Sequence, residues 1–121
     1  MTGFVLTADQ TNFFTRYWFA SPSWEKPEEY IRRSPISYVG NVKTPTMLLV
    51  GEQDFRTPIS EAEQFYAALK LRHVDAVLVR FSGVSHELVT GPSQLIAKAG
   101  YILAWFEKHR AGAAAAGADS R

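Results

Sequence analysis

Two short, largely apolar runs, each followed by a glycine-bearing loop, constrain this chain more than any other feature. The first, Thr46 to Val50, is closed by Gly51; the second, Ala76 to Phe81, has Val77, Leu78 and Val79 at its centre and runs into Ser82 and Gly83. Runs this short and this apolar predict strands buried on both faces, as in a parallel sheet covered by helices. Between them Ala62, Phe65, Tyr66 and Leu69 recur at i, i+3, i+4 and i+7, one apolar face of a helix ending near Arg72. Ser60-Glu61-Ala62-Glu63 predicts a capping box at its start. Beyond the loop from Ser82 to Pro92, Leu95, Ile96, Ala99, Ile102, Leu103 and Phe106 trace a long amphipathic helix to about His109. Strand, helix, strand, helix is the α/β pattern, and the crossover between parallel strands should be right-handed. Gly100, inside the last helix, costs about 1 kcal/mol relative to Ala and predicts close packing on the sheet.

The βαβα unit occupies residues 45–110. Residues 1–44 read as a helical and irregular lead-in that packs on something else and is not an autonomous unit. Phe13, Phe14, Tyr17, Trp18 and Phe19 suit one short helix. Pro27 suits the first position of another, ahead of Glu28, Glu29, Tyr30 and Ile31, and Ser34-Pro35 stops it. Residues 111–121 are low-complexity, with no periodic face, and are expected to be frayed or disordered.

Composition narrows the function classes. The chain has 121 residues, 46% of them apolar and 13% aromatic, enough for one compact domain and too apolar for disorder. Thirteen Lys and Arg against twelve Asp and Glu leave a net charge of +1, no field for gripping nucleic acid or an anionic membrane. The absence of cysteine excludes a disulfide framework and thiolate-held metals and suits a reducing cytoplasm. No wholly apolar run comes near the ~20 residues that span a bilayer, and the first residues lack a signal-peptide pattern. His73, His86 and His109 share no ligand spacing, so no metal is expected; with no glycine-rich phosphate loop, no cofactor is expected either. A cytoplasmic location follows as the expectation.

In parallel sheets, reactive groups collect just past the carboxyl ends of the strands. The loop after the first strand, Gly51-Glu52-Gln53-Asp54-Phe55-Arg56-Thr57-Pro58, holds Asp54. The loop after the second, Ser82-Gly83-Val84-Ser85-His86-Glu87-Leu88, holds His86. A carboxylate and an imidazole on adjacent parallel strands can meet above the sheet edge, the carboxylate holding the ring N–H and stabilising imidazolium. The plainer alternative is the commoner meaning of such a pattern: Asp54 as a turn former or helix cap and His86 as a solvated loop residue.

Longer stretches of text carry a resemblance. Ser34-Pro35-Ile36-Ser37-Tyr38-Val39, Asn41-Val42-Lys43-Thr44-Pro45, Leu48-Leu49-Val50-Gly51-Glu52-Gln53-Asp54-Phe55-Arg56-Thr57-Pro58, Gln64-Phe65-Tyr66-Ala67-Ala68-Leu69-Lys70, Ser85-His86-Glu87-Leu88 and Ile102-Leu103-Ala104-Trp105-Phe106 stand in order along the chain. From about Asn12 to Arg110 the chain resembles the C-terminal part of the prolyl oligopeptidase family of serine peptidases, closest to its acylaminoacyl-peptidase and dipeptidyl-peptidase-like branch. The resemblance implies an α/β-hydrolase fold and hydrolysis of short peptides or acyl-peptides. It places Asp54 where the triad acid stands and His86 where the general base stands. It places Arg56 where the family holds a backbone carbonyl of the bound peptide; a surface ion pair is the plainer role for such an arginine. The lead-in aromatics would line or cover the substrate cleft, or simply pack.

No Gly-x-Ser-x-Gly elbow occurs in these 121 residues, so the nucleophile of a triad is not among them, nor is the oxyanion hole built beside it. The resemblance implies roughly eight strands, of which the last two are present. The chain therefore reads as the final piece of a hydrolase, from a split gene, proteolysis or a cut chain, inactive alone. Its first strand lacks a neighbour, and an unpaired apolar edge invites strand addition. The expected partners are a complementary N-terminal hydrolase segment or a second copy joined through that edge. Two other readings stay open: a non-catalytic interaction module and part of an esterase.

Overall fold

A computed structural model describes residues 2–88 and 90–118 of the chain. Strand β1 (Thr46–Gly51) and strand β2 (Ala76–Phe81) pair in parallel, in register from Thr46 opposite Ala76 to Gly51 opposite Phe81. Helix α4 (Ile59–Leu71) makes the crossover, and helix α5 (Pro92–Ala118) follows β2. The α/β architecture and both strand positions are those the apolar runs predict. Because the two strands end level with each other, the loops that leave them start side by side. This register brings the Asp54 and His86 loops together.

The strands are less buried than their sequence predicts. Met47, Leu48 and Leu49 on β1, like Val77, Leu78 and Val79 on β2, are only half-buried. Among the described residues no third strand lies beside β1, so water reaches the sheet from its open edge. One face is covered by α4 and by the 3-10 turn Pro35–Asn41 ahead of β1. There Leu69, Val74 and Ala76 form a cluster, with Val39, Val42, Phe65 and Tyr66 against it.

Helix α4 starts earlier than the predicted capping box. Pro58, in an extended conformation, is its N-cap, no side chain caps it, and Ser60 falls inside the first turn. The Gln64 side-chain amide takes the Ser60 carbonyl instead, at 3.1 Å. The fixed φ of proline suits a helix entry, so the turn closes before Ser60 is reached. The other end is a Schellman motif. The N–H of His73 donates to the Lys70 carbonyl and that of Val74 to the Leu69 carbonyl, both at 3.0 Å, and His73 takes the left-handed conformation the motif requires (φ 58°). Leu69 and Val74, packed together, supply its customary apolar contact.

Helix α5 departs most from expectation. It continues past His109 through Ala118, consistent with the high helix propensity of the alanine run, while Asp119–Arg121 lie outside the described residues. Its inward face carries Gln94, Lys98, Ile102, Trp105 and His109, whereas Ile96, Leu103 and Phe106 are about 70% exposed. The helix is held by edges rather than by a buried face: Lys108 Nζ donates to Asp75 at 2.8 Å, His109 Nε2 lies 3.5 Å from the same carboxylate, and Tyr101 meets Phe81 edge-on. Gly100 does not mark close packing, since a methyl group there would meet nothing within 4 Å.

The lead-in is more organised than its composition suggests. Helix α1 (Thr2–Thr7), helix α2 (Thr11–Phe13), a π-helical turn (Phe14–Trp18) and helix α3 (Pro27–Arg32) surround their own cluster of Phe4, Val5, Ala8, Phe14, Phe19 and Tyr30. Phe19 stacks on Tyr30 with ring centres 3.9 Å apart, and the buried Tyr30 hydroxyl donates to the Ser21 carbonyl at 2.7 Å. Pro27 opens α3 and Ser34-Pro35 ends it, as the sequence predicts. Among the described residues no helix is long and apolar enough to cross a membrane, and no three His, Cys, Asp or Glu side chains gather as a metal site would require.

Candidate active site

Beyond the strand ends the two loops are stitched together by their backbones. The N–H of Glu52 donates to the Phe81 carbonyl and that of Gln53 to the Val84 carbonyl, both at 3.0 Å. Val84 is buried and anchors the second loop under the first. Gly51 makes this crossing possible: a Cβ there would lie 2.3 Å from the Val84 carbonyl oxygen and 2.5 Å from that of Ser85. A third bond, from the Leu88 N–H to the Ser85 carbonyl at 3.1 Å, folds the loop around His86, and Leu88 adopts a left-handed backbone (φ 56°) to close it.

This stitching sets His86 Nδ1 2.9 Å from Asp54 Oδ2. Asp54 is buried, at 7% exposure, while the His86 ring is about half exposed. Oδ1 of Asp54 accepts the backbone N–H groups of Arg56 at 2.9 Å and Thr57 at 2.7 Å. Oδ2 accepts the Thr57 hydroxyl at 2.5 Å and faces the imidazole. An ionised carboxylate offers about four acceptor sites, and here each has a donor. Burial pushes the Asp54 carboxyl pKa up, but the Thr57 hydroxyl, the Thr57 N–H and His86 outweigh it and hold the group below its ordinary value. An ionised Asp54 requires the proton on Nδ1, which leaves the Nε2 lone pair of neutral His86 available as a base.

Pattern alone leaves Asp54 open as a turn former or as an acid, and its contacts are compatible with either. The two backbone N–H groups it accepts make an Asx-type turn leading into α4, and its second oxygen faces the imidazole. Arg56 is in an ion pair: its Nε donates to Asp9 Oδ1 at 2.9 Å and its Nη2 lies 3.4 Å from Oδ2. That pairing raises the already high pKa of the guanidinium. With the Asp9 N–H donating to the Phe55 carbonyl at 2.7 Å, it clips the lead-in to the acid loop.

A cavity of about 700 Å³ opens beside the pair. Phe4, Phe13, Phe14, Trp18, Ile36 and Phe65 form much of its wall, and Arg56, Thr57 and His86 sit on it. A smaller one, about 220 Å³, reaches Asp54, Thr57 and His86 from the β1 side. Thr57 and Asp9 are the site residues that sequence reasoning passed over. Thr57 has a local signal, a hydroxyl three residues after an acid ahead of a helix. Asp9 has none, because the ion pair bridges 47 residues of chain.

Comparison with known proteins finds relatives over most of the chain. The model of the prolyl oligopeptidase family matches residues 1–113. The Bacillus subtilis (strain 168) protein described as "Uncharacterized peptidase YuxL" is 43% identical over 99 residues, 80% of this chain and 15% of that protein. The acylamino-acid-releasing enzyme of Arabidopsis thaliana is 36% identical over 89 residues, 74% of this chain and 12% of the relative. Among solved structures, a puromycin-hydrolyzing peptidase of Mycobacterium tuberculosis superposes with a TM-score of 0.62 at 26% identity, covering 71% of this chain and 13% of that one. The chain thus spans about a seventh of the length of these proteins, and its α/β fold is that of a part of a prolyl oligopeptidase-like α/β hydrolase. By the family match over nearly its whole length, the chain belongs to the prolyl oligopeptidase family.

Proposed function

We propose that this chain supplies the acid and the base of a serine-peptidase triad, with the nucleophilic serine carried by polypeptide outside these 121 residues. The observation that carries this reading is the 2.9 Å contact between His86 Nδ1 and a buried Asp54 with a donor at every acceptor site. His86 Nε2 takes the serine proton as the hydroxyl attacks a peptide carbonyl. The imidazolium so formed gives that proton to the leaving amine, and Asp54 stabilises the charge in between. Water then hydrolyses the acyl-enzyme with the same base. The aromatic wall of the cavity suits an apolar side chain of a short peptide or acyl-peptide. Arg56 sits on that wall with N–H groups beyond the two turned to Asp9, and these would hold a substrate carbonyl.

A second reading, a hydrolase remnant acting as an interaction module, is favoured by two surfaces. The open edge of β1 and the exposed Ile96, Leu103 and Phe106 of α5 are apolar surfaces of the kind that bind another chain. One experiment separates the two. The chain is mixed with a separately expressed hydrolase N-terminal segment bearing a Gly-x-Ser-x-Gly elbow, and an aminoacyl-nitroanilide is the substrate. Turnover that His86→Ala abolishes is the expected result. A stable complex with no turnover refutes the peptidase reading and leaves the module.

A further inference from the structure

We infer that Thr57 is the positioning residue of the acid–base pair, fixing the Asp54 carboxylate plane so that one oxygen faces His86. This rests on the triad reading of Asp54 and His86. Thr57 grips both carboxylate oxygens: its N–H donates to Oδ1 at 2.7 Å and its hydroxyl to Oδ2 at 2.5 Å. Two donors from one residue act as a fork, and rotation of the carboxylate about its Cβ–Cγ bond would break at least one of the two bonds. The hydroxyl also stands 3.2 Å from His86 Nδ1. With its own proton committed to Asp54, the Thr57 oxygen has lone pairs left to accept part of the imidazole N–H.

The consequences are chemical as well as geometric. Asp54 is buried, and a buried carboxylate short of a donor bears the desolvation cost uncompensated. The Thr57 hydroxyl is the strongest influence opposing that cost, ahead of the backbone N–H and of His86 itself. Without it the carboxyl protonates more readily and is free to swing. A protonated or rotated Asp54 no longer dictates that the imidazole proton sits on Nδ1. The side chain therefore acts through Asp54, and no contact with a substrate is needed.

The test compares the chain with its Thr57→Val and Thr57→Ser variants by NMR, following the acid titration of the Asp54 carboxyl carbon and the low-field His86 Nδ1 proton. Thr57→Val, which keeps the shape and removes the hydroxyl, should raise the Asp54 midpoint. It should also speed exchange of the Nδ1 proton with water roughly tenfold, the factor expected for one lost charge-assisted hydrogen bond. Thr57→Ser should keep both signals. A valine variant indistinguishable from the parent, or a serine variant as perturbed as the valine one, overturns the inference. Should the valine variant not fold, the serine variant decides alone: preserved signals support the hydroxyl's role and shifted ones refute it. These readouts are independent of turnover. A reassembled enzyme without activity would sink the triad reading and leave this result standing, whereas unaltered NMR signals beside a His86-dependent activity would remove Thr57 only.

Discussion

Replacing Gly51 with alanine puts a methyl group where the His86 loop crosses the end of β1. The new carbon would lie 2.3 Å from the Val84 carbonyl oxygen, 2.5 Å from that of Ser85 and 2.9 Å from the Val84 carbonyl carbon. All three are backbone atoms, so no side chain can swing aside. Reaching even 3.0 Å means a retreat of about 0.7 Å, and ordinary contact at 3.4 Å a retreat of about 1.1 Å. The Gln53 N–H bond to the Val84 carbonyl, 3.0 Å long, and the His86–Asp54 bond, 2.9 Å long, both cross the gap that opens. A lengthening of about 1 Å takes either beyond hydrogen-bonding range. Overpacking of this kind costs about 1–3 kcal/mol of stability. A catalytic group misplaced by about 1 Å costs about 100-fold in rate. Urea unfolding with the His86 Nδ1 proton signal checks the first part, and kcat/KM of the reassembled peptidase checks the second. An alanine variant with the parent's unfolding midpoint and an intact Nδ1 signal would refute the argument that Gly51 is required by loop crossing.

Two further expectations concern stability. Asp54 has a depressed pKa in the folded chain, so its contribution is fully present above the ordinary Asp pKa, about 3.9, and is lost as pH falls through the lower folded value. Acid unfolding followed by circular dichroism should therefore be less steep over that window in Asp54→Asn than in the parent, and equal steepness would contradict the assignment of donors to the carboxylate. His73 closes α4 at φ 58°, where a side chain costs about 1–2 kcal/mol and glycine does not, against a glycine entropy cost of about 0.5–1 kcal/mol. His73→Gly should raise the unfolding free energy by about 0.5 kcal/mol in urea titration, and a loss of stability would show that the imidazole has a role the Schellman geometry does not reveal.

Much of the site is legible in the sequence. Asp54 and His86 each follow an apolar run, and the rule that parallel strands deliver reactive groups past their carboxyl ends brings them together without further information. The role of Thr57 was less visible because a threonine after an acid also reads as an ordinary turn. Asp9 was invisible, since no local pattern connects it to Arg56 across 47 residues. The outward turn of Ile96, Leu103 and Phe106 on α5 was missed for a related reason. Periodicity says that a helix has an apolar face, but the neighbours available decide whether that face is covered.

Local chemistry, then, determined the elements of this protein: the strands through their apolar runs, α3 through Pro27 and Pro35, and α4 through its i, i+3, i+4, i+7 spacing. These depend on interactions within a few residues, which the order of amino acids carries directly. Tertiary structure alone decided the level register of β1 and β2, the crossing of the His86 loop over Gly51, the fourfold satisfaction of Asp54 and the clip between Asp9 and Arg56. Each of these is a distance between groups far apart in the chain, set by how strands pair and loops meet, and such distances exist only once the backbone has closed on itself.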